Sequence, residues 1–261
     1  MSTKNVHATK YTYETQESVN DTLTVELPLQ ISLNDTPYTT TLRTPGSDLF
    51  LVRGLLYAEE IFLGPSERFH YYTTSENGLD CFFVRLETSS TPKRAQLLSV
   101  SSCGLCGVES FQYPTSSPVS VDTCFTFSDI TLAYSKFIEH QHLFRLSGGT
   151  HACGLFSSSL ECLTVQEDIG RHNATDKAIG DLLEKGDLNT ADLMFTSGRI
   201  SYEIVHKCYR AHIPVLIAVS SPSTLAVEMA TQLGITLIGF FRENRFTCYS
   251  HPERLRHVHS S

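Results

Sequence analysis

The chain has 261 residues, 41% of them hydrophobic and 18% charged, enough apolar material for one large globular domain or two small ones. Its formal net charge of −8 argues against nonspecific nucleic-acid binding, although a local basic pocket for a phosphorylated ligand stays open. Residues 1–16 hold no apolar signal segment and no run reaches membrane-spanning length, so the eight cysteines are expected to be reduced thiols in a cytoplasmic protein without a membrane partner.

Residues 1–20 are polar and read as a flexible N-terminus. Leu23–Leu27 and Leu29–Leu33 alternate apolar and polar residues, as half-buried strands do, and Tyr38–Leu42 reads as a return strand after the Asn34-Asp35 turn. Ser47 or Asp48 can cap a helix that carries Leu49, Val52, Leu55 and Leu56 at helical spacing. Tyr71–Thr74 and Cys81–Leu86 are further strands around a Glu76-Asn77-Gly78 turn. Residues 21–110 are thus expected to form an N-terminal α+β domain that ends in a cysteine loop.

That loop is Ser101-Ser102-Cys103-Gly104-Leu105-Cys106-Gly107. A glycine after each thiol frees the backbone and keeps bulk away from the sulfurs. Three chemistries fit the residues: half of a zinc site, a redox pair, or a thiol that carries a group. His151, Cys153 and His172 do not supply a second tightly spaced pair, which weakens zinc. A zinc deaminase is weaker still, because that chemistry needs His-x-Glu followed by Pro-Cys-x-x-Cys, and His151-Ala152-Cys153 has no glutamate. Cys81, Cys162 and Cys208 read as small buried hydrophobes.

From Ser128, a helix is expected to run to about Phe144, and strands then alternate with helices. The strands are Leu163–Val165, Leu193–Phe195, Pro214–Val219 and Ile235–Phe241; the helices are Asn173–Glu184, Ile200–Arg210 and Thr224–Leu233. The alternation implies a mostly parallel sheet with flanking helices in a C-terminal α/β domain, residues 111–261. In such sheets ligands bind beyond the carboxyl ends of the strands. Those ends are followed here by Glu167–Asn173 with Arg171, by Ser197-Gly198-Arg199, by Ser220–Ser223, and by Arg242-Glu243-Asn244-Arg245. Small residues at helix starts and guanidinium forks suit phosphate oxygens, so the edge reads as a pocket for a phosphorylated ligand. Glu167-Asp168 beside Arg171-His172 suits either acid–base catalysis or a salt-bridged turn that orients the loop.

The cysteine loop, Ser147–Ala152, Glu167–Lys177, Ser197–Glu203, Ala218–Val227 and Leu237–Phe240 closely resemble motifs of the FdhD family of formate dehydrogenase accessory proteins, from about residue 42 to about 255. The resemblance implies a persulfide sulfur carrier. Cys103 matches the persulfide cysteine, with Cys106 as its neighbour. Sulfur would come from a cysteine desulfurase and pass to the molybdenum bis-molybdopterin guanine dinucleotide cofactor, ahead of its insertion into formate dehydrogenase. Phe240, Phe241, Arg242, Glu243, Asn244 and Arg245 match the family's cofactor-binding segment. Arg171, Ser197, Gly198, Arg199, Ser220 and Ser223 are the pocket candidates read from the strand ends. A cytidine-deaminase-like C-terminal half and a homodimer are implied by the same route, and no resident metal is expected. Two departures stand out. Cys153 replaces the small alanine more usual there, which would put a third thiol near the site. His212 stands in the turn before Pro214 where glycine is expected.

Overall fold

The computed structural model describes residues 1–76, 78–87, 118–119 and 123–256. Residues 1–20, read as a flexible lead-in, belong to a β-hairpin. β1 (Thr3–Tyr11) pairs antiparallel with β2 (Gln16–Thr24), and both strands are exposed or half-exposed along their whole length. Exposure on both faces removes the apolar alternation by which a strand is read. The hairpin base is tied down by Ser2 Oγ donating to the Pro45 carbonyl at 2.8 Å and by the Thr24 and Ser147 hydroxyls at 2.6 Å.

A four-stranded sheet follows, in the order β4-β3-β6-β5, from β3 (Leu27–Leu33), β4 (Thr36–Arg43), β5 (His70–Glu76) and β6 (Leu79–Arg85). Leu29, Ile31 and Leu33 share one face of β3 and pack with Phe82 and Val84 against Leu51, Val52 and Leu56 of α1 (Asp48–Ala58). The expected capping at Ser47 or Asp48 is absent. Ser47 has φ +57° and makes no side-chain cap, while both Asp48 oxygens accept from the Arg43 guanidinium at 2.9 Å. Arg43 also reaches Asp80 at 2.6 Å.

In the C-terminal part, β7 (Phe125–Thr126) leads into α2 (Phe127–Glu139) and α3 (His142–Ser147). The single helix expected from Ser128 to Phe144 is therefore two. Its cap is Thr126, not Ser128: Thr126 Oγ1 accepts from Asp129 N at 3.1 Å, and Asp129 Oδ2 accepts from Thr126 N at 2.8 Å. The break at His140 and Gln141 is held open because the Glu167 carboxylate captures Leu143 N and Phe144 N, each at 2.7 Å.

The remaining elements are β8 (His151–Phe156), β9 (Cys162–Asp168), α4 (Arg171–Lys185), β10 (Leu193–Thr196), α5 (Tyr202–Arg210), β11 (Val215–Ala218), α6 (Thr224–Leu233), β12 (Thr236–Arg242), β13 (Arg245–Ser250) and β14 (Leu255–Arg256). Six of these strands form one sheet in the order β13-β12-β11-β10-β8-β9. The expectation of a mostly parallel sheet is corrected to a mixed one. Only β10/β11 and β11/β12 are parallel pairs; β8/β9, β8/β10 and β12/β13 are antiparallel. The cause is local. β8–β9 and β12–β13 are hairpins, and Arg242–Arg245, which reads in the sequence as the end of a strand, is the turn into β13.

Side chains alternate between two cores across this sheet. Cys153, Leu155, Met194, Leu216 and Leu237 face the layer of α4, α5 and α6; Ala152, Phe156, Phe195, Ile217 and Phe241 face Ile130, Ala133 and Phe137 of α2. The two halves of the chain meet where α1 crosses α4 at glycine. A Cβ on Gly54 would stand 1.9 Å from the Asp176 carbonyl oxygen, and one on Gly180 1.8 Å from that of Phe50. Among the described residues no helix is long and apolar enough to cross a membrane.

Candidate functional site at the sheet edge

β9, β10, β11 and β12 run in the same direction, so their carboxyl ends share one edge. The junction loops there are laced together. Ile200 N donates to the Ser221 carbonyl at 3.1 Å, Ser223 N to Ile200 O at 2.9 Å, and Phe240 N to Ser220 O at 3.1 Å.

Arg171 opens α4 directly after its N-cap Gly170, and the first turn of that helix holds no acidic residue. Arg171 thus puts a cation at a helix N-terminus, against the macrodipole, while the Asp168 carboxylate accepts from Gly170 N at 2.9 Å on the buried side. Ser197 is fixed from both sides: its backbone N–H donates to Ala152 O at 3.0 Å, and its Oγ accepts from Ala152 N at 2.9 Å. The same Oγ lies 3.2 Å from Nδ1 of His151. Gly198 is where these groups converge. A Cβ there would come within 3.1 Å of Arg171 Cδ and 3.4 Å of His151 Nδ1. Burial first, then the charges of Arg171 and Arg199, hold His151 below the usual imidazole range. His172, buried near Lys207, Arg171 and His151, is pushed down to about 3, chiefly by burial, and its Nε2 lies 3.3 Å from Glu203 Oε2.

The other candidates divide. Phe240 is 46% exposed with φ +52°, an uncommon backbone state for an aromatic residue, and Arg242, Glu243, Asn244 and Arg245 are all exposed. Arg242 Nη1 donates to the carbonyls of Val219 and Phe241, each at 2.6 Å. Phe241 is a core residue with no exposed surface. Ser223 Oγ is engaged as the N-cap of α6, accepting from Ala226 N at 3.2 Å.

A cavity of about 580 Å³ opens beside this edge on the α2–α3 side, lined by Tyr134, Phe144, Arg145, Thr150, His151 and Ser197 among others. Arg242 and Glu243 act electrostatically on the Tyr134 hydroxyl, which places the β12–β13 turn next to it. The contribution of α3 was not foreseen. Its only trace in the sequence is the Ser147-Gly148-Gly149-Thr150-His151 run that closes that helix and opens β8.

The Glu167 and Asp168 side chains are both engaged in structural contacts. Glu167 caps α3, and Asp168 is paired with Lys177 inside the protein. Cys153 is buried, and its thiol is pushed up to about 12 by burial, so it does not line the edge. Cys208 is buried as expected, whereas Cys81 and Cys162 are partly exposed. Among the described residues no group of three or more His, Cys, Asp or Glu is placed to hold a metal ion. Cys103 and Cys106 lie outside the described residues.

The fold and this edge define a mixed α/β protein whose sheet edge carries Arg171 and Arg199 beside an aromatic-lined cavity. The FdhD/NarQ family model matches residues 24–256, and the chain belongs to that family. It is 37% identical over 240 residues to the sulfur carrier protein FdhD of Sulfolobus acidocaldarius, covering 91% of this chain and 92% of that one. It is 36% identical over 264 residues to the protein of the same name from Sulfurisphaera tokodaii, covering 98% and 100%. The namesake from Corynebacterium efficiens is 39% identical over 259 residues, covering 91% and 93%. A crystal structure of a candidate formate dehydrogenase accessory protein from Desulfotalea psychrophila superposes with a TM-score of 0.77 at 21% identity, covering 97% of this chain and 99% of that one, and shows the same fold.

Proposed function

We propose that this chain is a sulfur carrier for formate dehydrogenase maturation, with Cys103 as the acceptor thiol. The observation that carries the reading is the 36–39% identity, over nine-tenths or more of the chain, to proteins named as sulfur carriers. The Cys103 thiolate attacks the outer sulfur of a persulfide on a cysteine desulfurase. The donor's S–S bond breaks, a new S–S bond forms on Cys103, and the donor leaves as a thiolate, so no external oxidant or reductant is consumed. Cys106 stands in the same motif, placed to resolve or relay.

The recipient in this reading is the molybdenum bis-molybdopterin guanine dinucleotide cofactor, held as cargo at the sheet edge before it enters formate dehydrogenase. Support comes from the chemistry of that edge. Arg171 at the start of α4 and the neighbouring Arg199 suit pyrophosphate, and the β12–β13 turn, with Phe240 and Arg242–Arg245 exposed, borders the same opening. Ser197, Gly198 and Ser220 supply the small polar floor. Phe241 and Ser223 act from behind, one as core and one as a helix cap. The reading also takes the protein as cytoplasmic and homodimeric, with a cytidine-deaminase-like C-terminal half that lacks deaminase chemistry.

The test is intact-mass spectrometry after incubation with a cysteine desulfurase and cysteine, on the unaltered chain and on Cys103→Ala and Cys106→Ala. A reducible gain of one sulfur that only Cys103→Ala loses supports the carrier. No gain on any form sinks it and leaves a cofactor-binding chaperone whose cysteines are structural or metal-binding.

A further inference from the structure

Among the described residues the β1–β2 ribbon has no third strand; it is a two-stranded sheet of its own, about 30 Å long. Such a hairpin is marginally stable alone in water, so a strand that completes it is favoured. Its few apolar side chains are not scattered. By the register that pairs Lys4 with Leu23 and Lys10 with Glu17, Val6, Ala8, Val19 and Leu23 share one face, and Val6 and Leu23 are 38% and 45% exposed. The charges are sorted by strand. Lys4, His7 and Lys10 stand on β1 with no acid, whereas Glu17 and Asp21 stand on β2 with no base. Lys10 and Glu17 meet only at 4.0 Å, both well exposed, which leaves Lys10 open to another carboxylate.

The base of the ribbon stands on the lip of the cavity. The Thr24 hydroxyl is bonded to that of Ser147, a Cβ on Gly149 would come within 3.0 Å of Thr24 Oγ1, and Gly148 and Gly149 line the opening. A chain lying along the ribbon therefore stands next to that opening. The family match begins at residue 24, so the ribbon up to Leu23 lies outside it. A second copy of this chain does not suit the free edge of β1. Antiparallel pairing of two β1 strands sets bases opposite bases, and β1 laid on the β2 of another copy leaves a free edge at each end rather than closing a dimer.

We infer that β1 is a docking edge that takes an acidic, extended segment of the enzyme receiving the cargo as a third strand. The inference rests on the carrier reading above and adds the surface by which the recipient is held beside the opening. Every second residue of β1 turns its N–H and C=O away from β2, and an added strand binds through those groups. Acidic side chains of that strand meet Lys4 and Lys10, and its apolar ones extend the face of Val6 and Ala8.

The test is the affinity of the full chain for formate dehydrogenase purified without its cofactor, measured by biolayer interferometry at low and high salt. The double variant Lys4→Glu with Lys10→Glu is compared with Lys4→Arg with Lys10→Arg, and thermal unfolding of each verifies its fold. The charge-reversed chain is expected to bind roughly tenfold more weakly at low salt, with the difference shrinking at high salt, while the arginine chain binds as the unaltered one does. The sulfur gain in the mass assay is expected to be the same in all three. A photo-cross-linker placed at Thr9 is expected to capture an acidic peptide of the enzyme. Equal binding by the charge-reversed chain overturns the docking edge and leaves the lysines as guards against edge-to-edge pairing. A cross-link to a second copy of this chain overturns it as well. An unaltered chain that gains sulfur yet binds no enzyme overturns the docking edge alone, and one that gains no sulfur overturns the carrier reading.

Discussion

Lys177 Nζ stands 2.7 Å from the Asp168 carboxylate, with the two side chains 2% and 0% exposed. Asp168 also accepts from Thr44 N at 3.0 Å, Gly170 N at 2.9 Å and Asn173 Nδ2 at 3.0 Å. One buried carboxylate thus binds the end of β9, the start of α4 and the segment between β4 and α1. Removing one partner of a buried pair leaves the other charged and unpaired, which costs about 3–5 kcal/mol. Asp168→Ala is expected to lose stability on that scale in urea unfolding. A loss below about 1 kcal/mol would show that the charge is relieved by water instead.

The contact between α1 and α4 depends on two missing side chains. Gly54→Ala would drive a methyl group into the backbone oxygen of Asp176, and backbone on both sides cannot step aside as a side-chain tip can. Overpacking of this kind costs about 1–3 kcal/mol and more when the backbone must shift. A thermal melt of Gly54→Ala is expected to fall by several degrees, and an unchanged melting temperature would contradict so close a crossing.

His172 makes stability depend on pH. An unfolded histidine titrates near 6.5 and the folded one at about 3, displaced mainly by burial and then by Lys207, Arg171 and His151. Above 6.5 neither state takes the proton. As pH falls below 6.5 the unfolded chain takes one that the folded chain refuses, so stability drops from there down toward 3. At pH 5 the loss from this group is about 2 kcal/mol. His151 and His206 are displaced in the same direction and deepen the slope. Urea midpoints for His172→Gln are expected to fall less steeply between pH 6.5 and 4.5 than those of the unaltered chain. Parallel profiles would mean that His172 is solvated and titrates normally.

What the sequence made legible follows from which signals are local. The α6 bounds Thr224–Leu233 match the spacing reading, because apolar periodicity and the Ser223 cap both lie within the segment. The glycine expected in place of His212 corresponds to a real backbone demand, since His212 has φ +56°. Pairing direction is not local. β8 and β9 look like any two strands until a hairpin joins them, so the sheet read as mostly parallel is mixed. The four junctions were legible as candidates because Arg, Ser and Gly follow successive strands. The cavity wall from α3 was not, because its helix start is set by Glu167, more than twenty positions further along the chain.

Cys153 shows how placement on a strand decides the chemistry of a thiol. Two positions after His151, it faces the core shared with α4, α5 and α6 rather than the edge. Burial pushes its thiol up to about 12, and the hydrogen bond with Thr175 only partly opposes that. Since the thiolate is the reactive species, its fraction at pH 8 is about a thousandfold below that of an ordinary cysteine. Native protein treated with iodoacetamide at pH 8 is expected to keep Cys153 and Cys208 unmodified while the partly exposed Cys124 is alkylated, as read by peptide mass mapping. Unfolding in urea should then make all three reactive. Alkylation of Cys153 in the native chain at a rate near that of Cys124 would return it to the edge as a competitor for sulfur. Protection would show that β8 keeps this thiol in the core and away from the sheet edge.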